Sequence, residues 1–328
     1  MDEFALYPLK FQPILKSKIW GGQKLSSCLN KDISALENCG ETWEISGVET
    51  EQSVVSNGFL QENELNELVE TYMGDLVGDH VFEQFGNQFP LLFKYIDAND
   101  YLSVQVHPDD ALALARHNNF GKTEMWYVVD TAPDAVLISG FNQPTSKESY
   151  LEALEKGTIK DLLRFEKAEK GDVFYIPAGR IHAIGPGIVL AEIQQTSDIT
   201  YRIYDWQRKD EQGNYRELHT DLALDAINFS LSDSSKKHVE STINSTKELV
   251  RSKYFVTNQL IFDKTVEKVY ATIDSFVVYM CLEGSYTIAY EDSTMIVNKG
   301  ETVLIPAIIT EITLIPHAQT TLLEVYIP

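Results

Sequence analysis

The stretch KGDVFYIPAGRIHAI (170–184) lies without gaps on KGETVLIPAIITEIT (299–313), and this echo decides how the rest of the chain is read. In each copy a Lys-Gly turn opens an apolar run that closes on Ile-Pro-Ala. Glycine supplies backbone freedom for the turn, and proline, with no N–H to give to a ladder, ends the strand. Two copies of one turn-strand-turn segment predict two copies of one β-unit. The copies part at one chemically telling place, where His182 of the first becomes Glu311 of the second. If one unit holds a metal, it is the first.

Outward from the repeat, short β-like runs dominate. LLFKYIDA (91–98), EMWYVVD (124–130), AVLISGF (135–141), SFVVYMCLEGSYTIAY (275–290) and TTLLEVYIP (320–328) are separated by turn residues at regular intervals. Such spacing predicts an antiparallel sandwich or barrel. Leu65, Leu68, Val69 and Tyr72 recur at helical spacing, which predicts one or two short helices within about 60–85. Further helices are expected over Asp109–His117, after Pro108, and over Ser146–Leu163, where Ser146 can cap the N-terminus. The polar, Ser/Thr-rich stretch from about 230 to 248 is the expected linker. The expected division is 1–245, with the helical insertion inside it, and 246–328.

The bulk numbers exclude several classes. A net charge of −22 over 328 residues leaves no basic surface to displace phosphate counterions, so nucleic acid is not an expected partner. The same field gives no long-range help to an anionic substrate, which must be gripped by local Lys or Arg. There is no apolar run of membrane-spanning length and no signal-peptide pattern at the N-terminus, and Cys28, Cys39 and Cys281 are too scattered for a disulfide framework. A reducing cytoplasm is the expected compartment. Oligomeric state has no signal in the sequence.

The candidate chemistry begins in SVQVHPDD (103–110). Alternation along a strand puts Ser103, Gln105 and His107 on one face and Val104 and Val106 on the other. A Gln and a His turned inward are costly unless paired or ligated. In GKTEMWYVVD (121–130), Glu124 sits at the buried end of an apolar strand and needs a cation, either a metal or Lys122. His182 occupies a tight Gly-containing turn at a strand end. Two imidazoles, a carboxylate and a carboxamide suit Zn²⁺ with open positions, and Mn²⁺, Fe²⁺ or Co²⁺ as well. His80, His117, His219, His238 and His317 lie in polar or irregular contexts and read as surface residues. In AEIQQTSDITYRIYDW (191–206), an unbroken strand would place Glu192, Gln194, Thr196, Asp198, Thr200 and Arg202 on one polar face lining a cavity. Arg202 is then the residue best suited to grip a substrate oxygen.

Together QVHPDD, GKTEMWYV, YIPAGRIHAIGPG and SDITYRIYDW resemble the motifs of type I phosphomannose isomerases, in their short bacterial form. KSKIWGG (16–22), ETWEIS (41–46) and PLLFKYIDANDYLSVQVHPDD (90–110) extend the likeness over most of the chain. The resemblance implies a mainly β fold of two cupin (double-stranded β-helix, jelly-roll) units, the first with a helical insertion and the second without metal. It implies one zinc ion per chain on Gln105, His107, Glu124 and His182, a catalytic Arg202, and Lys94, Ser103 and Lys122 lining a sugar-phosphate pocket. Trp20, Glu41 and Trp43 are expected at the rim, and basic residues among Gln207, Arg208 and Lys209 near the pocket. The implied reaction is the interconversion of mannose 6-phosphate and fructose 6-phosphate through an enediolate, with Asp198, Glu192, a metal-bound hydroxide or a nearby lysine moving the proton. A related sugar-phosphate isomerase or epimerase, a cupin oxygenase and a non-catalytic sugar-phosphate sensor are the rival readings.

Overall fold

The computed structural model describes residues 5–209, 212–230, 233–240 and 242–328. Its strands form two pairs of facing antiparallel sheets. The larger pair sets an eight-stranded sheet against a five-stranded one. The first runs Lys236–His238, Asp172–Ile176, Glu124–Thr131, Ile188–Gln195, Leu91–Ala98, Cys39–Val48 and Ile14–Gly22, with Glu51–Gln52 added beside Cys39–Val48. The second runs Tyr201–Tyr204, Val104–Val106, His182–Ile184, Val136–Phe141 and Leu163–Lys167. The C-terminal pair is a six-stranded sheet, which includes Thr302–Ile305, and a four-stranded sheet, which includes Glu311–Pro316.

The sequence repeat is a structural repeat. Asp172–Ile176 lies in the eight-stranded sheet and His182–Ile184 in the sheet facing it, while Thr302–Ile305 and Glu311–Pro316 split in the same way between the six- and four-stranded sheets. The Ile-Pro-Ala corner is thus where the chain crosses between facing sheets, twice. The turn before it needs a left-handed residue, and Gly171 and Gly300 supply it with φ of 89° and 83°. Both units are cupin-type jelly rolls, as the motifs implied.

The central strands of the eight-stranded sheet are buried on both faces. On one, Trp20, Ile96, Trp126, Phe174 and Leu190 fill the space toward the five-stranded sheet. On the other, Phe93, Met125, Val189 and Ile193 share a core with Val278, Leu304 and Leu323 of the C-terminal unit and with Leu65, Leu68 and Val69 of the helix Leu65–Val77. Each such side chain contributes about 1.5–3 kcal/mol on full burial, so the shared core binds the units tightly. The strand Leu9–Lys10 adds a second tie by pairing with Leu304 and Val303 of the C-terminal sheet.

Four local readings need adjustment. Residues 191–206 are not one strand: Ile188–Gln195 belongs to the eight-stranded sheet and Tyr201–Tyr204 to the five-stranded one. The polar residues between them bend the chain across, with Thr196 bonded through N and Oγ1 to Pro90 and Phe89 carbonyls, and Gln194 Nε2 donating to Ser197 O at 2.7 Å. The helix expected over Ser146–Leu163 is capped by Ser146 but stops at Glu155, because Gly157 turns left-handed at φ 69°. A short 3₁₀ turn, Ile159–Leu162, then leads into a strand. The expected linker supplies two edge strands, Lys236–His238 and Ser245–Arg251, while its Leu231, Ser232 and Ser241 lie outside the described residues. Helices Lys24–Leu29 and Thr220–Ala226 carried no periodicity strong enough to be read. Among the described residues no helix is long and apolar enough to cross a membrane.

Candidate metal centre and its cleft

Sheet register builds the site as two facing rows. In the five-stranded sheet His182 pairs with Gln105, and Gln105 with Arg202. Residues directly opposite one another share a face, so these three side chains point together. Their neighbours Val104 and Val106 point the other way, into a core with Tyr150 and Ala223 of the outer helices. In the eight-stranded sheet a second row runs Trp126, Glu192, Lys94, Trp43. Glu124 stands two residues before Trp126 and so shares its face.

The ligand atoms of His107, Glu124 and His182 all lie within 4.8 Å of one another. Glu124 Oε2 is 3.5 Å from His107 Nε2, and its Oε1 is 3.2 Å from His182 Nε2. Each imidazole turns its other nitrogen to a backbone carbonyl, His107 Nδ1 to Ile199 at 2.9 Å and His182 Nδ1 to Arg180 at 2.8 Å. Donation there assigns the proton to Nδ1 and leaves the Nε2 lone pairs aimed at the cluster. Gln105 Nε2 is 3.3 Å from His182 Nε2. A rotation of that amide would present its oxygen at the same place, since amide N and O are assigned from their partners.

This arrangement fits a cation. All three residues are at most 1% exposed, yet His107 Nε2 and both Glu124 oxygens have no hydrogen-bond partner among the described residues. Leaving such atoms unpaired costs a few kcal/mol. Burial, reinforced by Glu192, pushes the Glu124 carboxyl up to about 8, against the pull of Lys122 and Lys94. Burial also lowers His182 to about 4 and His107 well below its usual value. The imidazoles are therefore neutral, the form in which they ligate. Lys122 is a loose partner for Glu124, with Nζ at 3.8 Å from Oε2 and its own pKa lowered by burial and by the charge on Lys94. The His-Glu-His cluster could hold a metal ion.

Beside the cluster opens a cleft of about 400 Å³. Lys94, Ser103, Gln105 and Lys122 line it, as do Glu192, Asp198 and Arg202. Glu192 is locked, its Oε1 accepting from Lys94 Nζ at 2.9 Å and its Oε2 from Trp126 Nε1 at 2.8 Å. Burial opposes its ionisation, but Lys94 and Lys122 overcome this and hold its pKa below the ordinary value. Asp198 is exposed at the mouth. Arg202 Nη1 donates to Glu217 O at 2.8 Å, and its Nε is buried without a hydrogen-bond partner among the described residues. Trp20, Glu41 and Trp43 also line the cleft, Trp43 Nε1 donating to Glu41 Oε2 at 2.7 Å.

Three basic lining residues were missed as functional: Lys16, Lys18 and Arg216. Lys16 and Lys18 alternate along one strand face in KSKIWGG, a signal that was available. Arg216 had none, being placed by its ion pair with Asp205 after a polar turn, Nε to Oδ2 at 2.7 Å. Arg208 turns instead to Asp205 and to the Tyr101 carbonyl, and Lys209 lies over the ring of Tyr215. Neither is among the lining residues. The five histidines read as surface residues are exposed or partly exposed.

Comparison with known proteins places this geometry among relatives. The family described as phosphomannose isomerase type I, catalytic domain, matches residues 8–131. The chain is 44% identical over 222 residues to the mannose-6-phosphate isomerase ManA of Bacillus subtilis, covering 67% of this chain and 68% of that one. It is 36% identical over 309 residues to the mannose-6-phosphate isomerase of Streptococcus mutans, covering 91% and 92% of the two. The crystal structure of the mannose 6-phosphate isomerase from Bacillus subtilis superposes with a TM-score of 0.84 at 33% identity, over 97% of this chain and 99% of the other.

Proposed function

The chain belongs to the type I phosphomannose isomerase family, a family of aldose-ketose isomerases, and on that premise we propose that it interconverts mannose 6-phosphate and fructose 6-phosphate. One observation carries the reading: a buried His-Glu-His cluster with orphaned ligand atoms sits beside a cleft lined by several Lys and Arg residues, in a chain of net charge −22. Local cations in an acidic molecule are what capture of a phosphorylated sugar requires.

In this reading Gln105, His107, Glu124 and His182 hold one zinc ion. When bound, zinc supplies a Lewis acid that polarises the sugar oxygens at C1 and C2 and stabilises negative charge on them. Arg202 shares the row of Gln105 and His182 and adds positive charge where the enediolate develops. Lys16, Lys18 and Arg216 at the cleft are suited to the phosphate, with Ser103 offering a hydroxyl. Lys94 neutralises Glu192 and Glu41 and so keeps the cleft wall from repelling it. Among the candidate bases, Glu192 is held ionised and doubly bonded, which makes it a poor proton carrier. Lys122, buried at the cleft with a lowered pKa, is better matched to taking a proton from one sugar carbon and returning it to its neighbour. Asp198 at the mouth is the remaining carboxylate.

The same reading divides the chain into a catalytic unit, 1–245, and a metal-free unit, 246–328, with Leu9–Lys10 crossing into the second. It places the protein in the cytoplasm, where free Cys28, Cys39 and Cys281 stay reduced. The test is to offer the purified protein mannose 6-phosphate and follow fructose 6-phosphate before and after chelation and after zinc add-back. Turnover that disappears on chelation and returns with zinc is expected. No turnover under any metal condition overturns the proposal.

A further inference from the structure

The segment that carries Lys122 and Glu124 is held by the neighbouring strand Ile188–Gln195 of its own sheet and, through Asp110, from outside that sheet. Residues 121–123 are irregular, and regular pairing begins only at Glu124. Before it, backbone bonds such as Lys122 N to Pro108 O at 3.1 Å are supplemented by side-chain bonds. Thr123 N donates to Gln195 Oε1 at 2.8 Å, and Gln195 N donates to Thr123 O at 3.1 Å. Gln195 Nε2 donates to Asp110 Oδ1 at 2.8 Å, and the same oxygen accepts from Gly121 N at 3.1 Å. Gly121 packs so closely here that an added Cβ would come within 2.5 Å of Asp110 N. The second carboxylate oxygen of Asp110 accepts from the Tyr254 hydroxyl at 2.5 Å. Tyr254 lies between the strands Ser245–Arg251 and Val256–Phe262, both in the six-stranded sheet of the C-terminal unit.

We propose that Tyr254 is a positioning residue for the metal centre, acting through Asp110 and Gln195 to fix the backbone at Thr123. The C-terminal unit, which offers no ligand to the cluster, thereby sets where Lys122 and Glu124 sit. Metal sites tolerate displacements of only about 0.5 Å before geometry fails. An irregular segment pinned by a few bonds opens locally at low cost when one of them is removed.

This inference rests on the zinc reading, so its test has two independent readouts. The variants are Tyr254→Phe and Asp110→Asn, with Tyr290→Phe as a hydroxyl deletion elsewhere in the same unit. Zinc affinity is measured by competition with a chromophoric chelator, and exchange of the Thr123 amide by nuclear magnetic resonance. Thermal unfolding of each variant checks that it is folded. Tyr254→Phe is expected to weaken zinc binding about 3–10-fold, to lower kcat with KM nearly unchanged, and to speed Thr123 exchange about tenfold. Because both groups act in one relay, the double variant should resemble Asp110→Asn alone. Should Asp110→Asn not fold, Tyr254→Phe against Tyr290→Phe still decides. A Tyr254→Phe protein that matches Tyr290→Phe in zinc affinity and in Thr123 exchange overturns the relay. A wild-type chain that binds no zinc removes the metal reading instead, and Thr123 exchange alone then decides whether the relay exists.

Discussion

Glu192 and Glu324 occupy one position in two related units and show what each unit kept. Glu192 is paired with Trp126 and Lys94 on its flanking strands, and Glu324 with Tyr279 and Asn258. Both carboxylates are buried and both meet a lysine at 2.9 Å, Lys94 in the first unit and Lys268 in the second. The lysine of the second unit comes from the facing sheet, so the ion pair was preserved while its source changed. The candidate ligand positions tell the opposite story. By the same register Val277 stands for Glu124, and Val269, paired with Glu311, stands for Gln105, which is paired with His182. Glu311 is exposed where His182 is buried. The second unit answers both oxygens of its buried carboxylate, with Tyr270 OH on Glu324 Oε1 at 2.6 Å and Asn258 Nδ2 on Oε2 at 2.9 Å, while Thr257 Oγ1 and Tyr286 OH are buried without a hydrogen-bond partner among the described residues. The first leaves buried acceptors unanswered. The contrast lies in the carboxylates: Glu324 is satisfied within the fold, and Glu124 has neither oxygen hydrogen-bonded among the described residues.

The sharpest way to break the comparison is to remove the candidate ligand carboxylate. Glu124→Ala should abolish zinc binding and lower turnover by at least about 1,000-fold, read by metal analysis and by fructose 6-phosphate formation. Arg202→Ala should retain zinc yet lose about 100- to 1,000-fold in kcat, and a variant with normal kcat would take Arg202 out of the chemistry. In the second unit the expected injury is to stability alone. Lys268→Met strands the Glu324 carboxylate and should cost about 3 kcal/mol in denaturant unfolding, with zinc content of the folded protein unchanged.

Acid should expose the same pair. Burial opposes the charge on Glu324, but Lys268 and hydrogen bonds from Tyr270 and Asn258 hold its carboxyl below the ordinary 4.5. A depressed carboxylate stabilises the folded state fully above its unfolded pKa. That stability is lost as pH falls through the folded value. Glu324→Gln should therefore show a shallower loss of stability below pH 4.5 than the parent. The smallest effect is expected at Glu311→Ala, within about 0.5 kcal/mol and with no change in zinc binding, although Glu311 is the repeat partner of His182.

Much of the site was legible because strand parity is local. The alternation in SVQVHPDD separates Gln105 from Val104 and Val106, and the structure places the one at the cleft and the others in the outer core. Parity failed at 191–206, where a bend between sheets breaks the period, so Asp198 sits exposed at the mouth while Glu192 is buried within. Arg216 was illegible because its place depends on Asp205, eleven residues away across a turn.

The sequence by itself determined the doubled β-unit, through a repeat whose glycines and prolines impose the same turn and the same strand end in both copies. It also determined that one copy lacks His182, a difference any alignment of the chain with itself reveals. The motif resemblance grouped His107, Glu124 and His182, but only tertiary structure decided how they converge, since they come from two facing sheets and sequence separation carries no distance. It alone joined Tyr254 to the loop before Glu124, because side-chain bonds between units follow from packing and leave no period in the chain.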